Sequence, residues 1–434
     1  MSIFFALTKM AFSLFSFINR SSIFALFFIF SSVANSAVVE GLFSTVLEVP
    51  SQQSSDRDSA FNDALVRVLL KVSGNRSLVE QNEFISRFFP AEQYVVSYAY
   101  KENPVYTSYL NEIASSEKRQ NPDQASASQT DDSKSISSKP LPFLLEVNFS
   151  AKALEKNMIS FGVPIWGNVR PTMLVWVALE EDGRRQLLGK NNTHLLLNDF
   201  DEDANRFALP IIFPEGDDLD RSAVNISNLW GLFPDAIEQA KTRYVADGHL
   251  MIRVYKSLAN TWNANWHMSV SGASYSASVS DVDLATVSET VISYMARVMA
   301  DRFAIQPGQI QSDNQLLIEV TDVTLFKDYI EIQDFLDKLA PVKSVSINWI
   351  EGTTMSLSLD LNSEAAQFFE YLKLSGKFIR LNSQADSVST EPKPRPLSVD
   401  MNAQAEGSLS PDFEFVPRAV RFRWLKPVSD VKPQ

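Results

Sequence analysis

Apolar residues recur in this chain with two different periods. A spacing of three and four residues from Phe61 to Val72 predicts a helix that ends near Gly74. The same spacing from Leu284 to Phe303 predicts a second long amphipathic helix. Apolar and polar residues alternate over 261–269 and again over 355–361, which is typical of half-buried strands. Helices and strands of this kind, mixed along the chain, predict an α+β fold built from several small units.

The clearest unit follows Gln315. It begins with a strand to Val320 and a helix from Leu325 to Leu339. Two alternating strands, a second helix and a last strand near 378–381 follow. The order βαββαβ is that of a ferredoxin-like unit.

Two segments lack these patterns. Residues 114–140 contain many serines and mixed charges but no aromatic residue, so we expect a disordered insertion. The chain after Leu381 is rich in proline, and we expect a tail. Within that tail Val420, Phe422 and Trp424 alternate with arginines, which predicts a strand that joins a sheet edge of its own domain or of a partner.

The patterns divide the chain into five parts. These are a signal peptide (1–37), an N-terminal α+β unit (38–165) with the insertion 114–140, a central α+β unit (166–305), a ferredoxin-like unit (312–383) and a Pro-rich tail (384–434).

The N-terminus has the pattern of a secretory signal peptide. Lys9 and Arg20 are its only charges, an apolar run covers 23–30, and small residues precede Ala34 and Ala37, where cleavage is expected. The run is shorter than the roughly 20 residues that cross a bilayer. The alternative is an uncleaved anchor, and membrane contact is expected only in that case. We therefore expect a periplasmic or cell-envelope protein.

Composition excludes several classes of protein. The 434 residues include no cysteine, which excludes disulfides, thiol nucleophiles and thiolate zinc sites. A net charge of −13 repels phosphate backbones, so we expect no nucleic-acid partner. The length is sufficient for stable cores without disulfides.

Motifs for catalysis or cofactor binding are incomplete. The glycines of 162–167 have phosphate-loop spacing, but Asn168 and Val169 replace the required Lys and Ser or Thr. Residues 199–203 resemble the start of a calcium loop, yet Ala204 replaces its glycine. We expect no cofactor and no metal, and no catalytic residue can be assigned.

Strand parity brings polar residues together in the central unit. Alternation places His249, Arg253, Asn263, Asn265 and His267 on one face of two neighbouring strands. A three-residue hairpin loop at 257–259 would set His249 directly opposite His267. A third metal ligand is not evident, so these histidines are interpreted as exposed residues of a polar face.

Two tryptophan–glycine pairs suggest a recognition surface. Its candidate residues are Trp166, Gly167, Arg170, Asn228, Trp230 and Gly231. Exposed aromatic rings beside an arginine and an amide would suit a protein or a glycan. The alternative is that both tryptophans fill the contact between domains.

Four stretches resemble a known family. They are 64–75, 163–171, 174–178 and 224–231, and in order and spacing they resemble the domain of unknown function 2066 family of exported proteobacterial proteins. The resemblance implies export and a fold but supplies no activity.

The function expected from these observations is binding. We expect a non-enzymatic envelope protein that binds or scaffolds another protein or a cell-wall component. A periplasmic hydrolase without a recognisable motif is the alternative, and an RNA-binding role for the βαββαβ unit conflicts with the charge.

Overall fold

The computed structural model describes residues 37–119, 139–192, 194–306, 314–381 and 419–426. Four β-sheets and the helices around them confirm the α+β class. None of the helices in these ranges is long and apolar enough to cross a membrane. The expected signal sequence before Ala37, residues 120–138 of the insertion and most of the tail lie outside the described residues.

The N-terminal unit is a three-stranded antiparallel sheet that packs on one long helix. Its strands are β2 (Ser44–Val49), β3 (Val95–Glu102) and β4 (Phe143–Phe149), in the order β2-β4-β3. Helix α1 (Ser54–Ser73) buries the predicted apolar stripe, and Gly74 ends it in the left-handed conformation with φ 61°.

The other helices of this unit agree with expectation at one place and differ at two. They are α2 (Arg76–Val79), α3 (Asn82–Ser86), α4 (Pro104–Arg119) and α5 (Ala151–Ser160). The apolar residues of 78–88 predict a single short helix, but the chain turns at Glu80 and Gln81. Helix α4 also occupies the first residues of the expected disordered insertion, because Val105, Tyr109 and Ile113 supply an apolar stripe at four-residue spacing.

The central unit is a mixed sheet in the order β11-β10-β9-β6-β7, with β8 beside β6. Its strands are β6 (Met173–Glu181), β7 (Arg184–Leu188), β8 (Ile211–Ile212), β9 (Gly248–Lys256), β10 (Trp262–Val270) and β11 (Ala273–Asp281). Its helices are α6 (Leu195–Arg206), α7 (Asp218–Ala223), α8 (Ile226–Trp230), α9 (Asp235–Tyr244) and α10 (Leu284–Phe303).

The two faces of this sheet are covered unequally. Helices α6 and α10 close the inner face over the main apolar core. Helices α8 and α9 cover β6 and β9 on the outer face through a smaller core around Trp176 and Leu229. Serines exposed on β11 show that the outer face is open at that edge.

The hairpin between β9 and β10 has a different register from the one that a three-residue loop at 257–259 would give. Its loop runs from Ser257 to Thr261, so Ser269 lies opposite His249 and Met251 lies opposite His267. The pairing is shifted by two residues, so each side chain stays on the same face of the sheet. The two histidines therefore share a face as diagonal neighbours, with ring centroids 6.4 Å apart.

The C-terminal unit has the predicted βαββαβ order with one strand inserted. Its elements are β12 (Gln315–Thr321), α11 (Phe326–Asp337), β13 (Val342–Glu351), β14 (Thr354–Leu361), α12 (Ala365–Ser375), β15 (Phe378–Arg380) and β16 (Val420–Trp424). The sheet order is β13-β14-β12-β16-β15. The strand expected in the tail thus joins its own unit, between two strands instead of at an edge.

A short segment before β6 connects all three units. It forms β5 (Val169–Arg170), which pairs with β1 (Ala37–Val38) at the start of the described chain. One apolar core is continuous between the central and C-terminal units, and a second fills the N-terminal unit.

Candidate binding surface around Trp230

The six candidate residues separate into two groups in the structure. Trp166, Gly167 and Arg170 lie in the contact between the units and are buried. Asn228, Trp230 and Gly231 lie at α8 on the outer face of the central sheet.

Arg170 is completely buried and is held by backbone oxygens. Its Nε donates to Gly167 O at 2.9 Å, its Nη1 to Phe207 O at 2.6 Å and its Nη2 to Lys71 O at 2.7 Å. The guanidinium also lies 3.9 Å from the ring centroid of Trp166. Burial lowers the pKa of Arg170 to about 9, so it is a cation at neutral pH. It joins three stretches of chain.

Gly167 lies against the C-terminal unit. A Cβ at this position would lie 2.6 Å from the Ala340 Cβ. The Tyr371 hydroxyl accepts from Gly167 N at 3.4 Å and donates to Phe303 O at 3.0 Å, and burial raises its pKa to about 12. A partner therefore cannot reach Trp166, Gly167 or Arg170. Trp166 instead fills the contact between the units, which is the alternative considered for it.

Trp230 is partly exposed and lies between two arginines. Asn225 caps the N-terminus of helix α8, because its side chain accepts from Ser227 N at 2.8 Å. The helix buries Leu229 against the sheet. That packing leaves the next residue, Trp230, over the outer face. The Arg185 guanidinium lies 4.1 Å from its ring centroid, and Arg253 Nη1 donates to Trp230 O at 3.0 Å.

The arginines are themselves oriented by neighbours. Glu180 accepts from Arg185 Nε at 2.7 Å, and Asn265 accepts from Arg253 Nε at 3.1 Å. The Tyr255 ring lies 6.0 Å from that of Trp230. These contacts hold the indole in one orientation, which lowers the entropy cost of a further contact.

The residues that follow α8 extend this surface. Gly231 is exposed, and a Cβ there would lie 2.4 Å from the ring of Phe233, which is itself 59% exposed. Asn228 is exposed on the helix. We call Arg185, Asn228, Trp230, Phe233, Arg253 and Tyr255 together the Trp230 surface.

A polar sheet face continues from the Trp230 surface toward β11. Register places Asn263, Asn265, His267 and Ser269 of β10 opposite Ser280, Ser278, Ser276 and Ser274 of β11. We call these eight residues the polar face. A hydrogen bond of 3.0 Å joins His267 Nδ1 to Ser276 Oγ.

Sequence reasoning found part of this arrangement. Strand parity correctly places Arg253, Asn263, Asn265 and His267 on one face. His249 shares that face, but it is completely buried and not exposed as expected. Arg185 and Tyr255 were missed, because their approach to Trp230 depends on how α8 crosses the sheet. The alternating signal in β9 could have identified Tyr255, whereas no local signal identifies Arg185.

The acidic residues 199–203, which resemble the start of a calcium loop, form part of a helix. Residues 199–203 lie within α6, and Asp203 accepts from Ser288 Oγ at 2.8 Å. A helix does not form the open loop that calcium requires. In the part of the chain that is described, no group of three or more acidic or histidine side chains could hold a metal ion.

Comparison with known families corrects the resemblance inferred from the sequence. Residues 36–167 match a family described as Domain of unknown function (DUF8605). The assignment to the domain of unknown function 2066 family is therefore wrong. The matched region covers the N-terminal unit and ends at Gly167, so it excludes the Trp230 surface. Among curated proteins, none matches the chain.

Proposed function

We propose that this chain is a non-enzymatic binding or scaffolding protein of the cell envelope, and that the Trp230 surface holds its partner. The observation that carries the proposal is the partly exposed indole of Trp230, fixed between Arg185 and Arg253. Tryptophan, tyrosine and arginine dominate the binding energy of interfaces, and here all three converge.

The envelope location rests on the N-terminal sequence. The apolar run at 23–30 and the small residues before Ala34 and Ala37 are typical of an exported protein. In that compartment the partner is another protein or a component of the cell wall.

The experiment is affinity purification of the tagged full chain from crosslinked envelopes, compared with Trp230→Ala. We expect one specific companion to be lost in the variant, because truncation of a central interface tryptophan commonly costs about 2 kcal/mol or more, roughly 30-fold in affinity. Trp349→Ala is the matched control, since Trp349 is 43% exposed on β13 in a different unit.

Two further measurements keep the test decisive. Circular dichroism of each variant establishes that the fold is retained. Arg185→Glu reverses the charge beside the indole without removing the ring, and it should weaken the same companion. Recovery of identical companions with all three variants would refute the proposal.

A further inference from the structure

The polar face consists of short polar side chains together with one histidine. Eight neighbouring positions on β10 and β11 contain serine, asparagine or histidine and no aliphatic residue. We propose that this face binds a glycan chain, with the Trp230 surface at one side of the site. The inference rests on the function proposed above and specifies the class of its ligand.

The polar face offers hydrogen-bonding groups to a ligand. Among the residues that the structure describes, the hydroxyls of Ser274, Ser278 and Ser280 make no hydrogen bond. Asn265 uses its carbonyl oxygen for Arg253, which leaves both N–H donors of its amide. A glycan carries hydroxyls along its whole length, and each hydroxyl both donates and accepts. It can therefore pair with this mixed set of groups.

The polar face is long and lies at an edge of its sheet. Strand β11 is the last strand of its sheet within the described residues, and its nine residues span about 30 Å. Serine side chains leave the surface low and flat along that length. Helix α8 packs over β6, β7 and β9, so it bounds the polar face on the side away from β11. An extended chain of several sugar rings fits such a surface.

Aromatic side chains lie at one side of the polar face. Tyr255 lies directly opposite Asn263, and its ring lies next to that of Trp230. Sugar rings present apolar C–H faces, which pack on aromatic rings, together with polar edges. Aromatic rings beside amide and hydroxyl groups match both features.

Other macromolecules fit this face less well. A protein interface usually has a desolvated apolar centre, and the polar face offers none. A nucleic acid would meet the net charge of −13, and Arg185 already pairs with Glu180. A glycan requires neither an apolar centre nor a positive field.

The test is binding of the full chain to chitotetraose by isothermal titration calorimetry and to purified peptidoglycan sacculi by co-sedimentation. Ser278→Tyr places a bulky ring in the middle of the face, and because Ser278 is exposed the fold should tolerate it. We expect at least a tenfold loss of affinity. Ser346→Tyr, at an exposed serine of β13, is the matched control and should bind as the parent does.

The outcomes separate this inference from the proposed function. Binding of either probe that Ser278→Tyr weakens and Ser346→Tyr does not would support it. Failure of both probes to bind, or equal binding by both variants, would overturn it. If a protein companion is still lost with Trp230→Ala in that case, the binding function stands and only the glycan assignment fails.

Discussion

At the residue scale, burial separates two similar tryptophans. Trp166 and Trp230 are each followed by glycine, and the local sequence supports the same interpretation for both. Trp166 is completely buried beside Arg170, whereas Trp230 is partly exposed. The residues that bury Trp166 belong to distant parts of the chain, and a local pattern does not contain them.

Replacement of Arg170 by lysine tests its role in joining the units. Lysine retains the charge but has a single ammonium group, which cannot reach the oxygens of Lys71, Gly167 and Phe207 together. We expect the free energy of unfolding to fall by about 3–5 kcal/mol in urea titrations. Arg184→Lys at an exposed position is the control and should change it by less than about 0.5 kcal/mol. A loss below about 1 kcal/mol for Arg170→Lys would contradict this role.

Glu155 predicts a pH dependence of stability. Desolvation raises the pKa of this carboxyl from 4.5 to about 7. Because the folded-state pKa is the higher one, the stabilising contribution of the protonated form is complete below pH 4.5 and is lost as pH rises through 7.

Glu155→Gln removes that titration. We expect the variant to gain up to about 3 kcal/mol in unfolding free energy relative to the parent between pH 4.5 and 8. Urea unfolding at several pH values measures the difference. Glu112→Gln, on the exposed side of α4, is the control. A parent-to-variant difference that does not change with pH would show that the carboxyl is not desolvated.

At the element scale, β16 is the least expected feature. It pairs in parallel with β12 over Ile318–Thr321 and antiparallel with β15. Phe422 and Trp424 are buried, and Trp424 lies 5.0 Å from the ring of Phe378. Without β16, the described part of the sheet offers β15 no other partner strand.

Removal of residues 419–434 should therefore unfold much of the C-terminal unit. We expect loss of its near-ultraviolet circular dichroism and of protection against protease, because two aromatic side chains leave the core. Addition of a peptide with the sequence of residues 418–426 should restore both signals. The control deletes only 427–434 and keeps β16. A fully folded unit after the longer deletion would contradict the central position of the strand.

The strand itself was predictable, but its position was not. Alternation at Val420, Phe422 and Trp424 indicates a strand with one apolar face. Its place between β12 and β15 depends on pairing with residues about one hundred positions away, and periodicity carries no information on that choice. For helix α4 the local signal was present but was not used. Its apolar stripe predicts a helix, whereas the serines from residue 115 onward favoured a disordered insertion.

At the scale of the whole molecule, the segment 166–170 and one set of ion pairs connect the units. Glu289 of the central unit binds both Arg76 of the N-terminal unit and Arg206. These pairs are partly exposed, so their contribution is small. The buried segment from Trp166 to Arg170 is the stronger connection.

Gly167→Ala tests this connection. The added methyl group would lie 2.6 Å from the Cβ of Ala340, and the C-terminal unit must shift to accept it. We expect a loss of about 1–3 kcal/mol and a calorimetric transition that separates into two. Ser108→Ala on α4 should leave a single transition. An unchanged transition in Gly167→Ala would show that the units do not depend on this contact.

The position of β16 has a consequence for synthesis. Ribosomes make the chain from its N-terminus, so the C-terminal unit cannot complete its sheet until synthesis has passed Trp424. A chain cut short by an early stop codon lacks the strand and exposes the apolar positions that Phe422 and Trp424 normally cover. Proteases recognise such chains readily. The fold thus distinguishes chains that contain β16 from chains that stop before it.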